Sequence, residues 1–313
     1  MMAWRAHRVP RAAGAAGLLT MVGDYREAMV LVAEERHAKE AAAIVQRFLW
    51  SGRINDPADL TSEAVTRYLA DLARHGRSPK TLLNHRSAIS SFCESLCRQG
   101  LLSENPCRRV RLKVPERRPP RWLTDEELAT VLRIARARGI WPEVMLAVST
   151  GLRLGELIRL RWADVELERR RLLVRKSKSR RPRMVWLSSS AVAALTEQRP
   201  LTGHLGPVFP ARRTWRGGWR FVEGPRHCNW WRRALRPIQD AVPKFRQLPG
   251  SSTGRGWHLF RHTHAARAAQ AGVSLQRIGR WLGHADVRTT EIYAHLAPGF
   301  DEQIEQTALE LDT

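Results

Sequence analysis

The stretch GHADVRTTEIY, residues 283–293, begins with a glycine–histidine pair and ends on Tyr293. Upstream lies HLFRHT, residues 258–263, which sets a histidine and an arginine three positions apart. On a helix, that spacing places His258 and Arg261 on one face. The sequence therefore predicts a phenol beside a cluster of cationic side chains, in a chain whose formal net charge is +23.

The composition favours a polyanionic partner. The 313 residues include 53 Lys and Arg against 30 Asp and Glu. Neutralising phosphates releases counterions, so nucleic acid is the first expectation. Residues 151–190 carry 12 basic and 4 acidic side chains, whereas residues 296–313 carry 5 acidic and no basic ones. The basic middle is therefore expected to face the polyanion. The alternatives are a solvated basic surface and a membrane-surface protein.

The same composition argues against a membrane span and a zinc site. The sequence has no apolar run of the roughly 18 residues that a spanning helix requires. Its four cysteines form no CxxC pair, which favours a reduced, cytoplasmic protein. We expect no metal and no cofactor.

Helical spacing, capping residues and proline content divide the chain. The helical patterns of the first third are Arg26–Phe48, Thr61–Arg74 and Ser78–Gln99. In the last of these, Ser78 is a predicted N-cap and Gly100 a predicted stop. The predicted parts are a disordered tail (or a DNA-binding arm) at 1–23, a helical domain at 24–104, a basic proline-rich linker at 105–121, a second domain at 122–298 and an acidic tail or helix at 299–313.

The second domain opens on a capping box, in which Thr124 is followed three residues later by Glu127. Farther on, Arg171–Arg175 and Met184–Leu187 have strand character and enclose the basic segment Lys176–Arg183. This pattern predicts a β-hairpin with a mobile cationic tip.

Residues 211–256 are the hardest to interpret, because tryptophans and arginines alternate there with glycines. Such residues could stack on bases or hold a nucleic-acid backbone. We favour the plainer interpretation, in which Trp230 and Trp231 belong to the core and the rest is a loose basic loop.

Cleaving a phosphodiester with a protein hydroxyl requires a nucleophile, cations on the non-bridging oxygens and a proton for the leaving oxygen. The planar fork of Arg suits the non-bridging oxygens, and Lys or His can deliver a proton. Arg153 lies at a predicted helix start, where the helix dipole also favours a phosphate. Lys178 lies on the predicted hairpin tip. Taken singly, each of these residues would more often be a surface or packing residue.

Taken together, four segments resemble the tyrosine recombinases of the phage-integrase family, with the resemblance spanning about Thr124 to His295. The segments are TGLRLGEL at 150–157, HLFRHT at 258–263, LGH at 282–284 and TTEIYAH at 289–295. The resemblance implies a mainly α fold with a small β-hairpin or sheet. It also implies an N-terminal helical, SAM-like core-binding domain before a mixed α/β catalytic domain.

The resemblance implies a role for each matching position. Arg153 and Arg261 would be the two arginines on the scissile phosphate, with Glu156 as an acidic support. Tyr293 would attack and form a 3′-phosphotyrosine link. The remaining assignments are Lys178 as the proton donor to the leaving 5′ oxygen (Lys176 being its rival), His258 as an aid to proton transfer, His284 as a hydrogen-bond donor to the phosphate, and His262 and His295 as supports of the fold or of the site.

The implied function is that of a site-specific DNA recombinase that needs neither metal nor ATP. Four copies would clamp duplex DNA, exchange strands through a Holliday junction and work in the bacterial nucleoid, with a possible accessory directionality protein. The acidic tail could dock on a neighbouring protomer or pack on its own domain. The alternatives are a relaxing enzyme like a type IB topoisomerase and a non-catalytic DNA-binding clamp.

Overall fold

The computed structural model describes residues 15–113, 120–175, 182–215, 218–245, 255–284 and 286–299. The chain divides into two compact units, Met1–Arg117 and Arg118–Thr313. Both are built mainly from helices, and small antiparallel sheets occur in the second. The predicted fold class is therefore confirmed. In the part of the chain described here, no helix is both long enough and apolar enough to cross a membrane.

The first unit is a four-helix arrangement around an apolar core. Its helices are α1 (Ala15–Val32), α2 (Glu35–Gly52), α3 (Ser62–Arg74) and α4 (Pro79–Arg98). The N-cap predicted for α4 is confirmed, because the Ser78 hydroxyl accepts a hydrogen bond from the Thr81 amide at 3.3 Å. Ile89, Phe92 and Leu96 of the predicted stripe are fully buried in this core.

The predicted disordered tail is wrong for residues 15–23, which form the first half of α1. Leu18 and Val22 are fully buried in the first core. Glycines at 14 and 17 weaken the local helical signal, but packing of these two apolar side chains outweighs it. Residues 1–14 lie outside the described part of the chain.

The helical pattern predicted at 26–48 proves to be two helices, because α1 ends at Val32 and α2 begins at Glu35. Glu34 takes an extended backbone between them (φ −65°, ψ 139°). The extended residue separates the two helices, and each of them contacts α4.

The predicted linker begins later than residue 105. A 3₁₀ turn at Pro106–Arg109 packs on the first unit, where Cys107 is fully buried. The Asn105 amide donates to the Ser90 carbonyl at 3.0 Å, and Arg86 donates to the Cys107 carbonyl at 2.9 Å. Residues 105–110 therefore belong to the helical unit, and residues 114–119 lie outside the described part.

The second unit combines eight α-helices with five strands among its described residues. The helices are α5 (Asp125–Ala137), α6 (Trp141–Thr150), α7 (Leu154–Arg159), α8 (Ser189–Thr202), α9 (Cys228–Ala234), α10 (Arg236–Ala241), α11 (Arg255–Gln270) and α12 (Leu275–Leu282). The strands are β1 (Val165–Glu166), β2 (Arg171–Val174), β3 (Arg183–Trp186), β4 (Pro210–Trp215) and β5 (Gly218–Pro225). The predicted capping box of α5 is confirmed, with Thr124 and Glu127 bonded reciprocally at 2.8 and 3.3 Å.

The hairpin predicted around residues 171–187 is confirmed as β2 and β3, which pair antiparallel with Leu172 opposite Val185. Strand β1 extends the sheet on the other side of β2. Lys176 and Lys178, on the predicted cationic tip, lie outside the described residues.

The loose basic loop predicted within residues 211–256 is wrong for residues 211–215 and 218–225. They form a second hairpin, the β4–β5 hairpin, in which Arg213 lies opposite Arg220. Core membership is confirmed for Trp231, which is fully buried, and Trp230 packs against the same core. Strand rules look for runs of β-branched and aromatic residues, whereas these strands also contain Arg212, Arg213 and Arg220.

We expect Leu18→Ala to lower the free energy of unfolding by about 2–5 kcal/mol, because it leaves a cavity in the first core. Leu31→Ala is the matched control, since Leu31 is 87% exposed on the same helix and should change stability by less than about 0.5 kcal/mol. Urea unfolding of the full chain, followed by far-UV circular dichroism, measures both. Equal effects would mean that α1 is not part of the core.

Candidate functional site

The site begins at the turn between α6 and α7. Gly151 ends α6 in the left-handed region (φ +62°). A Cβ at this position would lie 2.7 Å from Leu282 and 2.9 Å from His264, so only glycine allows this close approach. The turn therefore packs directly against α11 and α12, and Arg153 follows as the N-cap residue of α7.

Glu156 holds two arginines from different elements. Its carboxylate accepts the Arg153 amide at 2.9 Å and the Arg153 guanidinium at 3.1 Å. It also accepts both Nη atoms of Arg183, from the first residue of β3, at 3.0 and 2.8 Å. Burial alone would raise the pKa of Glu156, but the bonds and charges of Arg183 and Arg153 outweigh burial and hold it below its usual range. The carboxylate therefore stays ionised.

Arg261, from α11, lies in the same region as Arg153 and Arg183. Its guanidinium donates to the Gly151 carbonyl at 2.7 Å and to the Leu282 carbonyl at 2.8 Å. Burial, followed by the charge of Arg153, lowers its pKa to about 9, which leaves it charged at neutral pH. We call Arg153, Arg183 and Arg261 the arginine cluster.

All three members of the arginine cluster meet the carboxyl end of α12. Arg183 donates to the Trp281 carbonyl at 2.8 Å, and Arg153 donates to the Leu282 and Gly283 carbonyls at 3.4 and 3.1 Å. The unpaired carbonyls of a helix end carry partial negative charge. Among the described contacts, Glu156 is the one carboxylate bonded to the cluster. The region is therefore positively charged overall and suits an anion.

Tyr293 lies on a 3₁₀ helix, Glu291–Leu296, and packs against α11 and α12. Its hydroxyl lies 2.5 Å from Nδ1 of His262. Burial raises the pKa of Tyr293, while the charge of Arg261 acts in the opposite direction. Burial and the neighbouring His258, Arg261 and His284 lower the pKa of His262 to about 3. This imidazole is neutral at neutral pH, so it can accept a hydrogen bond from the tyrosine hydroxyl.

Two more histidines border this pair. The ring of His258 keeps access to solvent and lies edge-to-face with His262, with centroids 4.8 Å apart. Nδ1 of His284 lies 2.8 Å from the Thr290 hydroxyl. Desolvation, followed by the charges of Arg261 and Arg153, lowers the pKa of both His258 and His284 to about 4. Both rings are therefore neutral until an anion enters.

The fold thus brings together seven of the residues singled out in the sequence: Arg153, Glu156, His258, Arg261, His262, His284 and Tyr293. The lysine at 178 and its rival at 176 fall outside the described residues. Sequence reasoning missed Arg183, because it is one of six basic residues from position 175 to position 183. The sequence pattern placed it in the basic segment Lys176–Arg183, before the strand predicted at Met184–Leu187.

No three His, Cys, Asp or Glu side chains in the described ranges lie close enough together to hold a metal ion.

Comparison with known proteins gives one family. The sequence profile of the phage integrase family matches residues 121–299. The tyrosine recombinase XerC of Xylella fastidiosa strain 9a5c is 31% identical over 235 residues, covering 73% of this chain and 74% of that protein. XerC of Chromohalobacter salexigens is 29% identical over 267 residues, covering 82% and 85%.

Solved structures share the fold. The Tn1549 transposon integrase in complex with circular intermediate DNA has a TM-score of 0.71 at 17% identity, over 93% of this chain and 99% of that chain. A lambda integrase dimer bound to a COC′ core site has a TM-score of 0.69 at 17% identity, over 88% and 94%. At these identities the likeness concerns the fold alone.

We expect Glu156→Gln to destabilise the second unit by about 3–5 kcal/mol, because two largely buried guanidiniums lose their counter-ion. The depressed pKa of Glu156 means that its contribution is present above its unfolded pKa and is lost as the pH falls through the folded pKa. The wild type should therefore lose more stability than E156Q between about pH 5 and pH 3.

Urea unfolding at several pH values measures this difference. Glu166→Gln is the matched control, because Glu166 pairs with Arg171 at the surface, where ion pairs contribute little. Parallel pH profiles for the wild type and E156Q would contradict the assignment of Glu156 as the ionised centre of the cluster.

Proposed function

The chain belongs to the phage integrase family, and we propose that it is a site-specific recombinase that cuts and rejoins duplex DNA through a 3′-phosphotyrosine intermediate. One observation carries the proposal. Arg153 and Arg261 converge on the Leu282 carbonyl, and the charge of Arg261 acts on both members of the hydrogen-bonded pair Tyr293 and His262. An anion site beside a phenol with a proton acceptor is what this reaction requires.

The comparisons support DNA as the substrate. The relatives are named tyrosine recombinases, and the structures with the same fold are integrases in complex with DNA. The net charge of +23 agrees with a polyanionic substrate.

In the proposed mechanism, the arginine cluster binds the scissile phosphate. A guanidinium has five N–H donors, so Arg261 can keep its bonds to two carbonyls while it donates to a non-bridging oxygen. Arg153 takes the other oxygen, and His284 adds a donor. Arg183 acts as a positioning residue, because it shares the Glu156 carboxylate with Arg153. Donors fixed before the reaction stabilise the charge that builds on the phosphorus without reorganisation.

The covalent step exchanges one phosphoester bond for another. The Tyr293 oxygen bonds to phosphorus as its proton passes to His262, and the bond from phosphorus to the 5′ oxygen breaks. Lys178 gives the leaving oxygen its proton, and His258 assists the proton transfers. The bond energy is kept in the phosphotyrosine, so a 5′ hydroxyl can reverse the step without ATP.

The buried Tyr293 hydroxyl, with the residue 2% exposed, is shielded from solvent in the DNA-free chain. We propose that a path to it opens only when DNA is bound. Recombination further requires two sites to be held together, so the active assembly would be a tetramer that passes through a Holliday junction. The proposal also includes an accessory protein that sets the direction of recombination, and association of this chain with the nucleoid.

Tyr293→Phe should abolish covalent attachment to DNA and leave DNA binding close to that of the wild type, because only the nucleophilic oxygen is removed. The measurement uses a nicked duplex carrying DNA that flanks the gene of this protein, with adducts resolved on denaturing gels. A wild type that binds DNA and never forms an adduct would make the chain a non-catalytic clamp.

His262→Ala should slow single-turnover cleavage by about 10²–10⁴-fold, the usual contribution of a positioned base. Because the pKa of His262 is lowered to about 3, wild-type cleavage should not depend on His262 titration near neutral pH. The variant should gain rate as the pH rises, since solvent base must then remove the tyrosine proton.

His295→Ala is the control for this variant. It removes an exposed imidazole from the same 3₁₀ helix and should cleave at about the wild-type rate. If H262A cleaves as fast as H295A, with the same pH profile, His262 is not the proton acceptor. Faster cleavage would show instead that His262 restrains the nucleophile.

A further inference from the structure

The β4–β5 hairpin and the helix that follows it form an arginine-rich part of the second unit. Residues 211–236 contain eight arginines and one acidic residue, Glu223. None of the catalytic roles proposed above uses this stretch.

The outer face of the hairpin carries a like-charge pair. Arg213 and Arg220 lie directly opposite each other in the antiparallel register, and both are exposed. Directly opposed like charges destabilise a strand pair. An anion bound between them would turn this repulsion into attraction, and a guanidinium fork matches a phosphate better than any other side chain does.

The root of the hairpin is fixed firmly to the core. Arg226, at 2% exposure, donates to the Pro210 carbonyl at 2.8 Å and forms a buried ion pair with Glu143 of α6. Its guanidinium also lies 4.0 Å from the centre of the Trp230 ring. Arg212, on the inner face, lies over Phe221 at 5.2 Å. The inner arginines therefore serve structure, which separates them from the outer pair.

A chain of aromatic rings connects this root to the helix of the site. Trp230 meets Trp231 with ring centroids 5.3 Å apart, and Trp231 meets Trp257 of α11 at 4.8 Å. The Trp257 indole also donates to the Trp231 carbonyl at 2.7 Å. Trp257 precedes His258, so the hairpin and α11 share one packed core. An anion held on the hairpin would therefore lie at a fixed distance from the site.

We propose that the outer face of the β4–β5 hairpin, marked by Arg213 and Arg220, binds backbone phosphates of the duplex away from the cleaved bond. This inference rests on the proposed function, since it takes duplex DNA as the substrate. The contact would add affinity and fix the register of the duplex relative to Tyr293. It would carry no base specificity.

The test is the salt dependence of DNA affinity for the double variant Arg213→Gln, Arg220→Gln in the full chain. The logarithm of the association constant falls against the logarithm of salt concentration with a slope of about −0.9 for each phosphate neutralised. If each arginine contacts one phosphate, the slope should become shallower by about 1.8. Cleavage of DNA at saturation should stay within about twofold of the wild type, because the catalytic groups are untouched.

The matched control is Arg133→Gln, Arg138→Gln, which removes two exposed arginines from α5 and its C-cap in the same unit. A shallower slope for the hairpin variant alone supports the proposal. Equal slopes for all three proteins, or equal losses in both variants, overturn it.

A further outcome distinguishes this inference from the proposed function. Suppose that the wild type forms the covalent adduct and the hairpin variant binds DNA with unchanged affinity. This result would contradict DNA binding by the hairpin and would leave the proposed recombinase function unaffected. If the hairpin instead bound the acidic segment 301–313 of another copy, self-association would fall in the variant while DNA affinity did not, which also overturns the proposal.

Discussion

The site depends on one buried carboxylate. Three guanidiniums brought close together in a protein interior repel one another, and the Coulomb energy between such charges is large where water is scarce. Glu156 reduces that repulsion by binding Arg153 and Arg183 at once, and the carboxyl end of α12 supplies further acceptors. One carboxylate does not neutralise three cations. A phosphodiester would neutralise the remaining positive charge. The excess of positive charge that is unfavourable in the free protein would therefore favour binding of an anionic substrate.

The surroundings of the arginine cluster also determine the protonation of its neighbours. His258, His262 and His284 have pKa values lowered to about 4, 3 and 4 by burial and nearby cations. A neutral His262 beside the Tyr293 hydroxyl can accept a proton, whereas a charged one could not. An entering phosphate would oppose the cationic field at His258 and His284 and raise their pKa values, since a nearby opposite charge favours the protonated form. In the proposed reaction, one electrostatic arrangement would thus provide a proton acceptor at one ring and donors at the others.

Some of the site residues and structural elements could be predicted from the sequence, and others could not. Arg153, Arg261 and Tyr293 could be found because the short segments that carry them, taken together, resemble the phage-integrase family. The capping box at Thr124 and the N-cap at Ser78 could be predicted because helix capping is a local interaction. Arg183 could not be identified, because only the fold shows which of several neighbouring cations reaches Glu156. The helix at residues 15–23 and the β4–β5 hairpin depend on packing partners distant in the chain, which no local pattern reveals.

The described contacts of the proposed catalytic residues all lie within the second unit. Every described hydrogen bond of the arginine cluster, and that of Tyr293 with His262, joins residues of the second unit. None of these contacts uses a side chain of the first unit. In the proposed function, the helical unit and the β4–β5 hairpin would then contribute binding energy only. Surfaces that only hold the backbone of a duplex could then change without altering the groups proposed to break it, because the two sets of side chains are separate.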